Sequence, residues 1–183
     1  MSTQYYVAQS LDGYIAEADG NLDWLTGYPS EGGGPSGATD GEYDRFFAQV
    51  GVIAMGSATY EWILDKVDSW PYEGTPCWVF TSRELAVPDG ADVRFARGAV
   101  APVLDEMRAV AGERNVWVVG GGDLASQFVG EGVLDELILT VVPVVLGDGL
   151  PTFAQRHADN PLRLTATRPF KNGMTELRYE FVR

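Results

Sequence analysis

Short apolar runs alternate with amphipathic stretches of helical spacing over the first two thirds of the chain. Runs rich in β-branched and aromatic residues predict strands at positions 4–9, 52–55, 77–80, 93–96 and 116–119. Apolar positions three or four residues apart predict helices over 42–50, 100–111 and 124–130, and another that begins at 57. Strands that alternate with helices are typical of a mostly parallel sheet with helices on both faces.

The last third of the chain carries strand patterns with no helical spacing between them. A β-type run over 136–146 is interrupted by Pro143, and runs over 162–167 and 175–182 flank a turn around Asn172. The turn predicts that these last two runs pair as an antiparallel C-terminal hairpin at the edge of the sheet. The expected fold class is therefore α/β, with a central sheet of about eight strands.

Composition and charge restrict the class of protein and its partners. With 45% hydrophobic content and no long polar tract, positions 1–183 are expected to form one domain. The net charge of −13 repels nucleic acid and anionic membranes, so neither is expected as a partner. No apolar run approaches the roughly 18 residues of a membrane span and no secretion signal pattern is visible, which predicts a cytoplasmic protein.

Cysteine, histidine and glycine usage add three smaller expectations. Cys77 is the single cysteine and lies in a predicted strand, so it is expected to be a buried apolar residue. With one cysteine and one histidine, no metal site is predicted. Positions 26–41 are rich in glycine, proline and serine and predict a surface excursion.

Three predicted strands end in loops that suit phosphate groups. Ligands of open α/β sheets bind at the carboxyl ends of the strands, and the N–H groups at a helix start attract anions. Glycine also lets the backbone approach a ligand closely. We therefore expect one elongated site for a dinucleotide, formed by Gly56-Ser57-Ala58-Thr59, Thr81-Ser82-Arg83 and Gly120-Gly121-Gly122-Asp123.

Each loop has an expected part in that site. Thr59 and the helix it opens would take one phosphate, and the triple glycine would take the diphosphate. Ser82 and Arg83 would take a ribose 2′-phosphate, because a hydroxyl and a guanidinium suit a dianion. The structural alternatives are an ordinary tight turn for the glycines, a helix-start hydrogen bond for Thr59 and a solvated surface cation for Arg83.

Several other enzyme classes lack their motifs in this chain. The glycine loop reads G-G-G-D-L-A, which is not the GxGxxG pattern of Rossmann dehydrogenases. No lysine follows a glycine loop as in P-loop proteins, and there is no G-x-S-x-G. No histidine lies near a serine or cysteine, so kinase-type phosphoryl transfer and triad hydrolysis are disfavoured.

In this order and spacing, five segments resemble the dihydrofolate reductase-like superfamily, and within it the reductase domain of bifunctional riboflavin biosynthesis enzymes and its small stand-alone relatives. The resemblance covers nearly the whole chain. The segments that carry it are Ser10-Leu11-Asp12-Gly13-Tyr14-Ile15-Ala16, Met55-Gly56 with Thr59-Tyr60-Glu61, Thr81-Ser82-Arg83, Val119-Gly120-Gly121-Gly122, and the run from Val142 to Phe153.

The resemblance implies an eight-stranded, mostly parallel sheet flanked by helices. It implies hydride transfer from NADPH to a small heterocyclic metabolite, of riboflavin-pathway or pteridine type, with NADH as the alternative cofactor. It also implies a homodimer, whose interface the run 136–146 could supply.

Motif matching implies which residues would hold the cofactor. Ala8 and Ile15 would touch the nicotinamide end, and the loop around Gly13 and Tyr14 would close over it. The full implied set comprises Ala8, Gly13, Tyr14, Ile15, Gly56, Ser57, Ala58, Thr59, Thr81, Ser82, Arg83, Gly120, Gly121, Gly122, Asp123, Leu124 and Gln127.

Two positions depart from the pattern of the family. Ser57 stands where many relatives carry an arginine that holds the phosphates, so the preference for NADPH depends on Arg83 or Arg97. Asp123 adds a negative charge at the diphosphate loop, unless it caps the helix that follows.

The proton donor and the substrate contacts remain open hypotheses at this point. Ungapped comparison with the family places its acid at Asp40, with Asp44 as a second candidate, although Asp40 could instead cap a helix. The alternative function is a nucleotide-binding dimer that retains the cofactor site without turnover, and a third hypothesis is a structural dimer with no activity. The apolar wall of a substrate pocket, or simply the core, would contain Trp24, Tyr43 and Phe47.

Overall fold

The computed structural model describes residues 1–29 and 41–182. The strands are β1 (Thr3–Ser10), β2 (Tyr14–Ala16), β3 (Val50–Gly56), β4 (Cys77–Phe80), β5 (Val93–Ala96), β6 (Asn115–Gly120), β7 (Glu136–Val142), β8 (Leu150–Pro151), β9 (Leu162–Pro169) and β10 (Thr175–Phe181). The helices are α1 (Asp23–Thr26), α2 (Glu42–Phe47), α3 (Ser57–Lys66), α4 (Val100–Ala111) and α5 (Gly122–Gly130).

Eight strands form one sheet in the order β5-β4-β3-β6-β1-β7-β10-β9. Neighbours from β5 to β7 are parallel, whereas β10 runs antiparallel to both β7 and β9. The short strands β2 and β8 pair separately. The predicted mostly parallel sheet with an antiparallel C-terminal hairpin is confirmed.

Alternate residues of the central strands pack into cores on opposite faces of the sheet. On β3, Val52 faces a core that α4 and α5 cover, whereas Ile53 faces the core that α2 and α3 cover. A third cluster lies on the same side as α2 and α3; it contains Ala8, and Trp24 of α1 packs against it. We call this side of the sheet the α1–α3 face.

The predicted strand over 136–146 is too long. β7 ends at Val142, because Pro143 has no N–H to donate to the ladder. β7 also pairs with β1 on one edge and with β10 on the other, and its residues 137–140 are buried. The strand part of this run therefore offers no surface for a dimer interface.

Two other boundaries differ from the sequence-based expectation. The loop expected after β1 contains β2, which pairs with β8 and so ties residues distant in sequence. The helix expected over 42–50 ends at Phe47, because Val50 is buried as the first residue of β3. Its N-cap is Gly41, with φ 70°. Asp40 and most of the predicted surface excursion lie outside the described residues.

Cys77 is fully buried in β4, as expected, and burial raises the pKa of its thiol. Within the described ranges, no group of histidine, cysteine and acidic side chains is arranged to hold a metal ion. Among the helices of residues 1–29 and 41–182, none is both long and apolar enough to cross a bilayer.

Candidate functional site

The three predicted phosphate-binding loops lie together at the carboxyl ends of the strands. β4, β3 and β6 are adjacent and parallel, so the loops that follow them leave from the same end. α3 begins directly after Gly56, and α5 begins after Gly121. The expectation that residues 56–59, 81–83 and 120–124 share one edge is confirmed.

The starts of α3 and α5 meet across the glycines. A Cβ built on Gly56 would lie 3.8 Å from the carbonyl oxygen of Gly120 and from the amide nitrogen of Gly121, and one built on Gly120 would lie 3.5 Å from Oγ1 of Thr59. Neither helix has a side-chain hydrogen bond at its N-cap. The first N–H groups of two helices therefore converge at one place, which favours an anion.

Two residues of the triple-glycine loop have structural roles that the sequence did not indicate. A Cβ on Gly122 would lie 2.1 Å from the carbonyl oxygen of Pro151, so packing against the chain explains this glycine without a ligand.

Asp123 is not the helix cap, because Gly121 holds that position. Its carboxylate lies in the first turn of α5 and accepts a long hydrogen bond of 3.4 Å from Gln127 Nε2.

Arg83 is placed beside α3 by an ion pair with Glu61. Its Nη1 donates to Oε1 at 2.9 Å and its Nη2 to Oε2 at 2.5 Å. The hydrogen bond and the charge of Glu61 raise the pKa of Arg83. Thr81 Oγ1 accepts from the Arg83 amide at 3.0 Å, and Ser82 is exposed next to it. The guanidinium is thus held near the phosphate loops, but it is shared with a carboxylate.

Asp12 fastens the loop after β1 to the segment before β8. Its carboxylate accepts from Ser10 Oγ at 2.6 Å and from the amides of Leu146 at 3.1 Å and Gly147 at 2.7 Å. These hydrogen bonds, the one from Ser10 first, outweigh desolvation and lower the pKa of Asp12 to about 2. The loop that carries Tyr14 is therefore anchored at its base.

Three further predicted cofactor residues have different surroundings. Ile15 of β2 approaches the glycine loop, since its Cδ1 would lie 3.8 Å from a Cβ built on Gly121. Ala8 lies on the α1–α3 face and is 7% exposed. Leu124 is buried in the core under α5, so only its backbone is available to a ligand.

The predicted substrate wall is divided between two clusters on the α1–α3 face. The rings of Tyr43 and Phe47 stack with centroids 5.9 Å apart. Each ring also packs edge-to-face against Trp117. Burial, and then the charges of Tyr6 and Asp44, raise the pKa of Tyr43 to about 12. Trp24 instead packs on the cluster that contains Ala8. The three aromatic residues do not form one continuous wall.

Of the two predicted acids, Asp44 is exposed on α2 and Asp40 lies outside the described residues. A different carboxylate, Glu176 of β10, is 3% exposed on the α1–α3 face. No sequence pattern singled it out, because β10 alternates polar residues with Leu177 and Tyr179 in the manner of a strand with one solvated face. The covering of that face is visible only in the folded chain.

One arginine bonds this carboxylate, and that arginine and a second one pair with a glutamate of α2. Arg178 Nε donates to Glu176 Oε1 at 2.8 Å, and Arg168 and Arg178 both lie within ion-pair distance of Glu42 of α2. Burial lowers the pKa of Arg178, but its hydrogen bond with Glu176 and the charges of nearby glutamates outweigh that effect and raise it.

Comparison with known proteins identifies the family. The family model of the RibD C-terminal domain matches residues 3–175. The uncharacterized protein YwjB of Bacillus subtilis is 35% identical over 168 residues, which cover 92% of this chain and 91% of that protein.

Solved structures share the fold over the whole chain. A crystal structure from Shewanella sp. PV-4, assigned to riboflavin biosynthesis, has a TM-score of 0.85 and 26% identity, with all of both chains covered. Dihydrofolate reductase from Enterococcus faecalis, complexed with NADP(H), has a TM-score of 0.65 and 17% identity over 100% of this chain and 97% of that chain. The fold is therefore dihydrofolate reductase-like, and the chain belongs to the RibD C-terminal domain family.

Proposed function

We propose that this protein is a reductase that uses NADPH to reduce a small heterocyclic metabolite. Membership in the family of RibD C-terminal domains, the reductase domains of riboflavin biosynthesis proteins, supports a reductase-type activity. The observation that carries the cofactor assignment is the convergence of two helix starts without side-chain caps at Gly56 and Gly121, together with an arginine paired to Glu61 of α3. Dinucleotides need such a cradle for their diphosphate.

The residues at this edge fit the cofactor in charge and in space. The N–H groups at the starts of α3 and α5 would bind the diphosphate and Thr59 a phosphate oxygen, while Arg83 with Ser82 would bind the 2′-phosphate of NADPH. Ser57 leaves the phosphates without the arginine of many relatives, so Arg83 carries more of the discrimination against NADH. When bound, the cofactor supplies the hydride.

The chain's own contribution to the reaction would be positioning and exclusion of water. Ala8 gives β1 a small side chain on the α1–α3 face, where the family resemblance would place the nicotinamide ring. The anchored loop with Tyr14 and Ile15 would cover that ring, and a proton can come from solvent or from an acid near the substrate.

Two measurements test this function. Titration of NADPH against the tryptophan fluorescence should quench the signal in a saturable manner, and NADPH oxidation should be detected with at least one acceptor among pteridines, pyrimidines and quinones. Absence of saturable quenching overturns the cofactor assignment. Binding without oxidation of NADPH by any acceptor would favour the alternative function, a nucleotide-binding dimer without turnover.

We also propose that the protein is a homodimer. Leu162 and Leu164 of β9 are 42% and 51% exposed at the free edge of the sheet, and Val182 beside them is 50% exposed. A second copy of the chain would cover this apolar edge, which otherwise lies open to solvent.

A further inference from the structure

A cavity lies beside the last turn of α3, at the opposite end of that helix from the phosphate loops. Its volume is about 340 Å³. Its walls come from the end of α3, from residues 67–70 that follow the helix and from residues 86–88 between β4 and β5. α3 begins at Ser57, and its first wall residue, Ile63, lies roughly 9 Å further along the helix axis. The cavity is therefore separate from the proposed cofactor site.

The walls of this cavity are mostly apolar and partly open to water. Leu64 and Val67 are each 37% exposed, and Val87 is 47% exposed. Apolar side chains in contact with water are unfavourable, and clefts with such a lining are where small molecules bind. A cavity of roughly 150 Å³ accommodates one benzene ring, so this larger one has room for a ligand of two fused rings.

Trp70 brings a hydrogen-bond donor to the wall. The residue is 8% exposed, and its ring packs edge-to-face against Tyr60 and Tyr72, with centroids 5.8 and 5.3 Å away. Its Nε1 is buried and has no acceptor among the residues that the structure describes. Buried indole N–H groups normally have a partner, because leaving one unpaired costs free energy. A carbonyl oxygen on a ligand in the cavity would supply the missing acceptor.

The charge at this end of α3 is negative. Asp68 lines the cavity and forms no ion pair within the described part of the chain. The nearby cation, Lys66, is already paired with Asp65, with Nζ 2.9 Å from Oδ2. The last carbonyl groups of a helix carry a partial negative charge as well, and α3 ends here. The cavity therefore favours a cationic group and disfavours an anion.

We propose that this cavity binds a compact aromatic amine that carries a carbonyl group. Its rings would cover Leu64, Val67 and Val87, which removes apolar surface from water. Its carbonyl oxygen would accept from Trp70 Nε1, and its ammonium group would lie near Asp68. The site goes beyond the proposed reductase function and requires neither NADPH nor a substrate to be bound.

The indole N–H resonances of isotope-labelled protein test the site directly. The chain has five tryptophans, and Trp70→Phe identifies the signal of Trp70. The first probe, L-tryptophan amide, has fused rings, a carbonyl and an ammonium group, whereas N-acetyl-L-tryptophan keeps the rings and a carbonyl but is an anion. The amide should shift the Trp70 signal in a saturable manner. Calorimetry should show that it binds at least about threefold more tightly than the anion, as expected for partly exposed charges.

Matched variants separate the two polar contacts. Asp68→Asn should abolish the preference for the amide over the anion, whereas Asp65→Asn, at a neighbouring carboxylate outside the cavity wall, should retain it. Tryptamine lacks the carbonyl, so the wild type should bind tryptophan amide more tightly than tryptamine, and Trp70→Phe should remove that difference. If Trp70→Phe does not fold, Val87→Lys places a charge at an exposed wall position and should abolish binding of the amide.

Saturating NADPH should leave binding of tryptophan amide unchanged, because the two sites are separate. A Trp70 signal that no probe shifts, a preference that survives in Asp68→Asn or is lost in Asp65→Asn, binding that persists in Val87→Lys, or competition with NADPH would each overturn the proposal. Binding of tryptophan amide by a protein that does not bind NADPH would refute the proposed reductase function alone.

Discussion

Arg83 and Glu61 form an ion pair with two parallel hydrogen bonds beside α3, the helix whose start meets that of α5. The pair is exposed, with 54% of the Arg83 side chain and 42% of the Glu61 side chain accessible. A 2′-phosphate at this position would have to share the guanidinium with Glu61 or displace it. The ion pair therefore sets how strongly NADPH can be preferred over NADH.

Arg83→Ala should weaken NADPH binding about three- to tenfold, because a charge-assisted hydrogen bond contributes about 1.5–3 kcal/mol and solvent exposure reduces that value. NADH binding should change little, since NADH has no 2′-phosphate. Dissociation constants from tryptophan quenching measure both. Arg163→Ala, which breaks an exposed ion pair at the far edge of the sheet, is the matched control. Unchanged NADPH affinity in Arg83→Ala would rule out the 2′-phosphate assignment.

Glu61→Gln should have the opposite effect. Removing the carboxylate frees the guanidinium and takes away a negative charge that repels phosphate, so NADPH affinity should increase roughly twofold to fivefold. The same titration checks it at low salt, where exposed charges interact most strongly. A loss of affinity would mean that Glu61 holds Arg83 in place rather than competing for it.

Gly56→Ala should lower NADPH affinity, whereas Gly122→Ala should lower the stability of the fold. A Cβ on Gly56 meets backbone atoms only at 3.8 Å, so the variant should fold normally but lose NADPH affinity, because its methyl group enters the cradle. A Cβ on Gly122 would lie 2.1 Å from Pro151, so that variant should lose on the order of 1–3 kcal/mol of stability. Thermal unfolding and NADPH titration separate the two outcomes. Normal NADPH binding by Gly56→Ala would contradict the proposed location of the diphosphate.

Asp12→Asn should reduce stability in a pH-dependent manner. The folded pKa of Asp12, about 2, lies below its ordinary value of 3.8, so the carboxylate stabilises the fold fully above the ordinary value. That contribution is lost as the pH falls from 3.8 to about 2. The melting temperature of the wild type should exceed that of the variant at neutral pH, and the difference should shrink in this window. The exposed Asp89→Asn should show no such difference, and a gap that is as large at pH 2 as at neutral pH would exclude the Asp12 contribution.

Leu164→Lys should convert the proposed homodimer into a monomer. A lysine on β9 would place a charge in an apolar edge that a second copy covers, while the exposed position leaves the monomer fold intact. Light scattering after size exclusion measures the mass. A wild-type protein that elutes as a monomer would disprove the homodimer itself, and a variant that remains dimeric would move the interface elsewhere.

The alternation of the longer strands and helices, the hairpin and the three phosphate-type loops were predictable from the sequence, because each depends on local patterns, whereas the short elements α1, β2 and β8 were not predicted. Periodicity marks strands and helices, and glycine followed by a helix marks an anion site wherever it occurs. Five short segments, taken together in their order and spacing, indicated the family.

Tertiary structure decided which residues act together, since contacts between distant positions leave no local pattern. The carbonyl oxygen of Pro151 leaves no room for a side chain at Gly122. The ion pair with Glu61 sets the position of Arg83, and the amide of Gly147 anchors the loop at Asp12. Glu176 shows the limit most clearly. Its strand alternates like one with a solvated face, and only the packing of α1 and α2 over the sheet buries Glu176 among these polar positions. Burial, and hence the need for a partner, is a property of the assembled layers and not of the strand.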